Sequence, residues 1–307
     1  MNFQQLRYVR ETVRRQLNLT EAARALHTSQ PGVSRQIRDL EEELGVDLFE
    51  RHGRRFVGLT PAGRELLPII ERVLAEAENL RRAGAEFAAR DQGSLVVATT
   101  HTQARYMLPT VVAAYRARYP KVRLSLQQGS PTAIAQMVIR GEADMAIATE
   151  SLDHYEELVT LPAYRWSHAV VVPIGHPLAR VSPLTLEAIS RWPIVTYSTE
   201  FAGRSKIDQT FAAADLKLDV VFTAIDSDVI KTYVELGLGV GIIASVAFDE
   251  KRDRALRRLK SDSLFPVNTT RVALRRGVYL REIVLAFIEA FSPELDEACV
   301  RTAMRDA

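Results

Sequence analysis

Residues 20–40 have the sequence TEAARALHTSQPGVSRQIRDL, which predicts two short helices joined by a tight turn. Thr20 is placed as the N-cap of the first helix and Ser29 as the N-cap of the second, which has Pro31 in its first turn. The apolar residues of the second helix recur at helical spacing and define its buried face: Val33, Ile37 and Leu40. The segment therefore predicts a helix-turn-helix.

The outer side of the second helix carries side chains that form hydrogen bonds or bear positive charge: Gln30, Ser34, Arg35 and Arg38. In a helix-turn-helix this helix enters the major groove of DNA, where such groups contact base edges and phosphates. Any single arginine here is better explained as a solvated surface charge.

Residues 48–57 predict two short strands around the basic turn His52-Gly53-Arg54-Arg55, that is, a wing. Arg54 and Arg55 at its tip are placed to reach backbone phosphate or the minor groove. The net charge of the whole chain is only +2, but the polar helix and the basic wing together favour double-stranded DNA as a partner. We predict a winged helix-turn-helix domain over residues 1–59.

A further helix is expected to begin at Thr60-Pro61, because a hydroxyl cap is followed there by a first-turn proline. Apolar or small residues then alternate at spacings of four and three: Leu66, Ile70, Val73, Ala77, Leu80, Gly84 and Phe87. This seam predicts that residues 60–91 form a linker helix that pairs with a second copy. The alternative is that the seam packs against the chain's own body, and Pro68 is expected to bend the helix.

From Gly93 onward, strand patterns alternate with helix patterns, which is typical of an α/β domain with doubly wound parallel sheets. The alternation falls into two groups, so we predict a bilobed α/β domain over residues 92–307. Lobe I takes about 92–162 and 267–307, and lobe II about 163–266, because the last strand is expected to return to the first lobe. The crossing connections place a ligand cleft between the lobes.

Polar, uncharged side chains stand where the strands of lobe I end: Thr99, Thr100, Thr102, Gln103, Ser130 and Thr149. Ligands of open α/β sheets bind beyond the carboxyl ends of the strands, near helix N-termini. Hydroxyls, an amide and helix N–H groups suit a small oxyanion or carboxylate, because they supply partial positive charge without a counter-ion. The alternative is that each of these residues only caps a helix.

Other classes of protein find little support in the sequence. No apolar run reaches the about 20 residues of a membrane span, and the N-terminus has no signal-peptide pattern. A single cysteine, Cys299, excludes an internal disulfide and fits a reducing cytoplasm. The glycines of residues 237–241 lack the spacing of a dinucleotide loop, the six histidines are scattered, and no nucleophile elbow is present. We predict a cytoplasmic protein without a cofactor, a metal or a catalytic site.

The whole chain resembles the LysR-type transcriptional regulators. The motifs that carry the resemblance are Ala22-Ala23 with Leu26, residues 29–34, Leu40-Glu41, Leu44-Gly45, Leu48-Phe49 and residues 59–63. The resemblance implies a winged helix-turn-helix, a linker-helix dimer and an effector domain like the periplasmic binding proteins, usually assembled as a tetramer. With the outer-face reasoning above, it gives the expected DNA contacts as Ser29, Gln30, Pro31, Ser34, Arg35, Arg38, Arg54 and Arg55. RNA polymerase is a further candidate partner.

Within that family, the effector domain resembles the cysteine-regulon branch of CysB- and Cbl-like proteins through residues 98–106, 128–132, 203–205 and 228–233. The branch controls sulfur assimilation and the use of alternative sulfur sources, in response to sulfate, acetylserines or adenosine phosphosulfate. The resemblance gives the expected effector-binding residues as Thr100, Thr102, Gln103, Ser130, Thr149, Ala202 and Gly203. Ala202 stands where the branch commonly has threonine, so the identity of the effector stays open.

Three alternatives are compatible with the same residues. A LysR-type regulator of another metabolic pathway would use this architecture with a different small-anion effector. A solute-binding protein or an enzyme would use the same two lobes, although residues 1–59 argue against both. A structural DNA-bridging protein would bind DNA with no response to any small anion.

Overall fold

The computed structural model describes residues 1–53, 55–88, 92–199, 201, 203–261 and 263–306. Two predicted site residues, Arg54 and Ala202, lie outside the described residues. The chain divides into a first unit, Met1–Phe87, and a second unit, Ala88–Ala307. In the described part of the chain no helix combines the length and the hydrophobicity that a membrane span requires.

The first unit contains the predicted winged helix-turn-helix. In chain order its elements are α1 (Phe3–Arg14), α2 (Leu19–Ala25), α3 (Gln30–Leu44), β1 (Phe49–His52), β2 (Arg55–Leu59) and α4 (Pro61–Ala88). α2 and α3 are the two helices of the motif, and β1 pairs antiparallel with β2 to form the wing.

Side-chain caps set the starts of α2 and α3. Ser29 Oγ accepts the N–H of Gly32 at 3.3 Å, as expected for the N-cap of α3. The prediction that Thr20 caps α2 was wrong, because Asn18 Oδ1 accepts the N–H groups of Thr20 and Glu21, each at 3.1 Å. The short amide of Asn18 reaches two of the N–H groups that have no partner within the helix, so α2 begins earlier than Thr20 suggests.

The beginning of α4 packs against the core of the first unit. Ile70 is buried in that core and Leu66 packs against it. These two residues therefore contact their own unit, as in the alternative considered for the seam, because the spacing shows that a face is buried but not what covers it. Pairing of the seam with a second copy stays a prediction. Ile69, Val73 and Leu80 are 45%, 38% and 76% exposed in the single chain, and we call them the α4 stripe. The side chain of Phe87 lies outside the described residues.

The second unit alternates strands and helices. In chain order its elements are β3 (Gly93–Thr99), α5 (Leu108–Arg118), β4 (Val122–Gln128), α6 (Pro131–Ile139), β5 (Met145–Thr149), β6 (Leu158–Trp166), β7 (His168–Pro173), α7 (Leu186–Ser190), β8 (Ile194–Tyr197), α8 (Arg204–Ala213), β9 (Val220–Ala224), α9 (Ser227–Glu235), β10 (Val240–Ala244), β11 (Leu256–Arg258), β12 (Asn268–Arg275), α10 (Glu282–Phe291) and α11 (Glu297–Asp306).

Two mixed sheets form the two lobes. The sheet of lobe I has the order β4-β3-β5-β12-β6, and that of lobe II has the order β11-β7-β10-β8-β9. β3, β4 and β5 run parallel, whereas β12 runs antiparallel to β5 and β6. In lobe II, β8 runs parallel to β9 and β10, whereas β7 runs antiparallel to β10 and β11. The prediction of parallel sheets was therefore wrong for β6, β7, β11 and β12, the strands next to the lobe crossings, because each of them runs antiparallel to its neighbours.

The chain crosses between the lobes twice. β6 continues unbroken to Trp166, so the first crossing lies between β6 and β7 rather than near residue 162. The return crossing lies between β11 and β12, and β12 joins lobe I as expected for the last strand.

His168, at the start of β7, is packed among aromatic rings at the first crossing. The ring of Trp166 lies 5.3 Å and that of Phe265 5.6 Å from the imidazole, centroid to centroid. His168 is fully buried, and neither ring nitrogen has a hydrogen-bond partner among the described residues. Burial lowers the pKa of His168 to about 3, so the ring is neutral in the folded chain at neutral pH.

Candidate functional site

The outer face of α3 is polar and open, as a groove-binding helix requires. Its apolar residues Val33, Ile37 and Leu40 are fully buried in the core of the first unit. The predicted DNA-contacting residues are exposed or half-buried wherever the structure describes them: Ser29, Gln30, Pro31, Ser34, Arg35, Arg38 and Arg55. The sequence that forms the core of the helix-turn-helix therefore leaves these side chains facing outward.

A buried carboxylate, Glu41, connects α3 to the wing. Glu41 Oε1 accepts the N–H of Leu48 at 2.8 Å and the N–H of Phe49 at 3.1 Å. Glu41 Oε2 pairs with the guanidinium of Arg51 in β1, and the ring of Phe49 stacks on that of Phe56 in β2. Sequence reasoning named Glu41 only as part of the Leu40-Glu41 motif and missed its contacts with the wing, because it stands in a run of three glutamates and nothing local distinguishes the buried one.

A cleft between the lobes of the second unit encloses about 400 Å³ together with the solvent at its mouth. Its polar lining comes from lobe I: Thr100, His101, Thr102, Gln103 and Thr149. Its remaining lining is mostly aromatic or aliphatic: Trp166, Tyr197, Phe201, Ile225 and Ala244. Four of the predicted effector-binding residues are thus brought together. Among these described lining residues there is no lysine, arginine or carboxylate.

A buried hydroxyl of the cleft, that of Thr149, has no hydrogen-bond partner among the described residues. Thr149, the last residue of β5, is 5% exposed, and its Oγ1 is buried without a hydrogen-bond partner in the described structure. A buried hydroxyl in this condition costs about 1–3 kcal/mol. A ligand that accepts or donates a hydrogen bond at this point would remove that cost.

Tyr197 reaches from lobe II to the polar lining of lobe I. Its hydroxyl lies 2.6 Å from Ser227 Oγ and accepts the N–H of Ala244 at 2.8 Å. Thr102 of lobe I lies near this hydroxyl and lines the same cleft. Burial raises the pKa of Tyr197, so this group is a neutral hydroxyl at neutral pH.

The amide of Gln103 is held by a buried network beneath the cleft. Its Nε2 donates to Thr270 Oγ1 at 3.3 Å, and its Oε1 accepts the hydroxyl of Tyr164 at 2.6 Å. Trp166 Nε1 donates to the same Thr270 oxygen at 3.1 Å. Burial raises the pKa of Tyr164 to about 12, so its hydroxyl keeps the proton that it donates.

Ser130 and Gly203 are placed differently from the other predicted effector-binding residues, and neither is among the described lining residues of the cleft. Ser130 caps α6 by accepting the N–H of Ala133 at 3.3 Å, which is the alternative role considered for it. Gly203 precedes α8 with φ +94°, and a Cβ there would lie 2.4 Å from His168 Nε2. The backbone conformation and the close approach of His168 both require glycine.

A cluster of titratable groups lies beside the cleft. One donor atom each of His101, Asp226 and Asp228 lie within 4.8 Å of one another. Asp226 Oδ1 accepts the N–H of Val229 at 2.9 Å and so caps α9, while Asp228 Oδ2 accepts Arg105 Nε at 3.1 Å. These carboxylates already serve a helix cap and a cation, so the cluster is not a candidate metal centre. Sequence reasoning placed Asp228 only in the segment 228–233 that carries the branch resemblance, and it missed the contact with Arg105.

Two family matches identify the chain. Residues 3–64 match the family described as "Bacterial regulatory helix-turn-helix protein, lysR family". Residues 88–296 match the "LysR substrate binding domain". The chain belongs to the LysR family of DNA-binding transcriptional regulators. The resemblance found in the sequence is thereby confirmed.

Curated relatives and a solved structure narrow the class further. The chain is 56% identical over 307 residues to the HTH-type transcriptional regulator SsuR of Burkholderia cenocepacia, covering 100% of both chains. It is 54% identical over 305 residues to the HTH-type transcriptional regulator CysB of the same organism, covering 99% of this chain and 97% of the relative. The crystal structure of the cofactor-binding domain of the Cbl transcriptional regulator aligns with a TM-score of 0.68 and 45% identity, covering 70% of this chain and 95% of that one. The predicted similarity to CysB- and Cbl-like proteins is confirmed.

Proposed function

We propose that this protein regulates genes of sulfur assimilation, or of the use of alternative sulfur sources, by binding promoter DNA in response to a small anionic effector. Its relatives SsuR and CysB are named as transcriptional regulators and match essentially the whole chain. The candidate effectors are those that the cysteine-regulon resemblance implies: sulfate, O-acetylserine, N-acetylserine and adenosine phosphosulfate.

Promoter DNA is bound by α3 and the wing. The exposed Arg35 and Arg38 on α3, and Arg55 at the start of β2, supply the positive charge for phosphate contacts. Two copies paired along the α4 stripe present two such heads to half-sites about 34 Å apart. Further association into a tetramer and contact with RNA polymerase belong to the same proposal.

The effector binds in the cleft between the lobes. The lining from lobe I offers neutral hydrogen-bonding groups, and the absence of a carboxylate among the described lining residues leaves an anion without a repelling charge. Trp166, Phe201 and Ile225 add apolar surface that a bare sulfate leaves uncovered and that the organic part of an acetylserine or a nucleotide covers. The lining therefore favours an effector with an anionic group and an organic body.

The single observation that carries this proposal is the unpartnered hydroxyl of Thr149. Its Oγ1 is buried in the cleft with no hydrogen-bond partner in the described structure, whereas Thr99 Oγ1, also buried, donates to the carbonyl of Ile147 at 2.9 Å. The difference between these two threonines supports a site that is completed by a ligand.

The effector acts by shifting a population. If the effector binds the chain better with the lobes closed than with the lobes open, it increases the population of the closed state. In that state the two paired helix-turn-helix domains take one relative angle. The sign of regulation then depends on which angle fits the promoter.

Isothermal titration calorimetry on the full-length protein tests the effector site. Each candidate effector is titrated into wild type, Thr149→Val and the control Thr302→Val, which removes an exposed hydroxyl on α11. Valine keeps the shape of threonine and removes only the hydroxyl. We expect at least one candidate to bind wild type and Thr302→Val equally, and Thr149→Val to bind it roughly tenfold more weakly, because a hydrogen bond to a charged ligand contributes about 1.5–3 kcal/mol.

The outcomes separate the alternatives. Equal binding to Thr149→Val and wild type would remove Thr149 from the site. Binding of a different small anion and of none of the four candidates would indicate a LysR-type regulator of another pathway. DNA binding that responds to no anion at all would favour the DNA-bridging alternative.

A further inference from the structure

The turn that follows β3 carries contacts to lobe II in addition to the polar lining of the cleft. Residues 100–103 line the cleft, and Arg105 and Tyr106, a few positions further on, bind lobe II. Arg105 and Tyr106 lie in a π-helical turn, Gln103–Met107, and turns of this kind recur at functional sites. The cleft lining and the contact between lobes thus belong to one short segment.

These contacts converge on one carboxylate, that of Asp228 in the first turn of α9. Tyr106 donates its hydroxyl to Asp228 Oδ1 at 2.7 Å, and Arg105 Nε donates to Oδ2 at 3.1 Å. His101 Nε2 lies 3.6 Å from the same Oδ2. We call Asp228 with these three partners the Asp228 latch. It joins the two lobes at the edge of the cleft.

Lys231 holds the carboxylate from within lobe II. Its Nζ lies 3.5 Å from Asp228 Oδ1, and it donates to Asp253 Oδ1 at 2.8 Å and to the carbonyl of Ala247 at 3.0 Å. The side chain of Lys231 is 7% exposed, and its Nζ lies 5.1 Å from the centre of the Tyr106 ring. Lobe II therefore presents Asp228 in a fixed position to the turn of lobe I.

The strength of the latch suits a reversible closure. Burial opposes ionisation of Asp228, but the Tyr106 hydrogen bond and the charges of Lys231 and Arg105 outweigh it and lower the pKa of the carboxyl. The side chain of Asp228 is 39% exposed, so the ion pair with Arg105 alone contributes little. Several modest contacts that form together favour closed lobes in the chain without an effector, while no single one of them is strong enough to prevent the lobes from opening.

We propose that Asp228 is a positioning residue for effector binding. It holds the turn of residues 100–106 against lobe II and so fixes the polar lining on which the effector binds. Asp228 is not among the described lining residues of the cleft, so it acts through the turn and not by touching the effector. This inference rests on the proposed function, in that the cleft is taken as the effector site.

Hydrogen–deuterium exchange on the full-length protein without any effector tests the latch itself. Wild type is compared with Asp228→Asn, which keeps the shape of the side chain and removes its charge, and with Arg105→Gln. We expect the peptide that covers residues 100–107 to exchange at least roughly fivefold faster in both variants. The matched control Asp208→Asn removes a carboxylate that is 44% exposed and pairs with Arg204 inside lobe II, and it should leave this peptide unchanged.

Calorimetry with N-acetylserine as the probe, on the same proteins, tests the coupling to the effector. Asp228→Asn is expected to weaken binding roughly tenfold, within the usual range for coupling between two sites. The double variant Arg105→Gln, Asp228→Asn should bind no more weakly than the weaker of the two single variants, because both changes open the same latch. The control Asp208→Asn should bind like wild type.

Each result decides a different part of the inference. Wild-type exchange in Asp228→Asn overturns the latch. Faster exchange with an unchanged dissociation constant overturns the positioning role, because the turn would then be released at no cost to binding. If wild type binds neither N-acetylserine nor another candidate effector, the proposed function fails, and the exchange data alone decide whether the latch holds the lobes together.

Discussion

Replacing Glu41 by glutamine should loosen the wing without disturbing the fold of α3. Glutamine keeps the length of the side chain and one acceptor oxygen, but it loses the charge that faces Arg51 and two backbone N–H groups. Because Glu41 is 3% exposed, water cannot replace the contacts that are lost. The effect should therefore appear where the carboxylate acts, at the start of β1.

The contacts give the size of the effect. A hydrogen bond to a charged group contributes about 1.5–3 kcal/mol and a neutral one about 0.5–1.5 kcal/mol, so the two bonds from Leu48 and Phe49 lose about 1 kcal/mol each. The ion pair adds little, because the Arg51 side chain is 28% exposed and turns to solvent. The local free energy of opening should fall by about 2 kcal/mol, which corresponds to roughly 30-fold faster amide exchange.

Hydrogen–deuterium exchange of the peptides that cover residues 45–59 measures this change. The neighbouring Glu42→Gln is the control, because Glu42 lies on the same helix with its side chain exposed. Wing peptides that exchange at the wild-type rate in Glu41→Gln would refute the reasoning. They would show that the wing is held by the stacking of Phe49 on Phe56 rather than by the buried carboxylate.

Three further changes test other parts of the chain. Gly63→Ala should lower the stability of the first unit by about 3 kcal/mol in thermal melts, because a Cβ there would lie 2.0 Å from the carbonyl oxygen of Leu48. The control Gly84→Ala should not lower it, because a Cβ at Gly84 has nothing within 4 Å. Leu80→Glu should raise the dimer dissociation constant at least roughly tenfold in analytical ultracentrifugation if the α4 stripe pairs two copies, and an unchanged constant would exclude that. The pKa of His168 is lowered to about 3 in the folded chain, whereas an unfolded chain has the ordinary histidine pKa of about 6.5. As the pH falls below about 6.5, the imidazole is protonated in the unfolded chain but not in the folded one, so the free energy of unfolding decreases. Between pH 7.5 and 5.5, the free energy of unfolding measured in urea should therefore decrease by about 1.4 kcal/mol less in His168→Asn than in wild type. An equal decrease in both proteins would contradict the lowered pKa of His168.

The sequence predicts best where neighbouring residues decide the structure. Ser29 and Pro31 start α3 through a cap and a fixed φ, and the spacing of Val33, Ile37 and Leu40 identifies its buried face. Thr20 shows the limit of this reasoning, because Asn18 offers equivalent chemistry two positions earlier and the geometry of the turn chooses between them. The sequence predicts that a helix forms here, but it does not predict the residue at which the helix begins.

The partner of a buried face is harder to predict than the face itself. The apolar spacing in α4 is continuous, but Leu66 and Ile70 meet the core of their own unit, whereas Leu80 is exposed. Periodicity records only that a residue avoids water, so it cannot distinguish a contact within the chain from a contact with a second copy.

The location of the candidate site was predictable from the sequence, but the hydrogen-bond partners of its residues were predictable only in part. Parallel strands end at one edge of a sheet, which is why Thr100, Thr102 and Thr149 were expected together and line one cleft. The roles of Asp228 and Gln103 depend on residues more than sixty positions away in the chain, such as Tyr106 for the former and Thr270 for the latter. No local pattern encodes such pairs.

The buried network beneath the cleft also imposes a direction on the site. Tyr164 donates its proton to Gln103 Oε1 and takes one of the two acceptor positions of the amide oxygen, whereas Nε2 keeps one N–H beyond the one that it gives to Thr270. The tyrosine hydroxyl thereby fixes which end of the amide is the oxygen and which is the nitrogen. If the cleft is the effector site, the remaining N–H favours an effector that accepts a hydrogen bond at this point, such as an anion or a carbonyl.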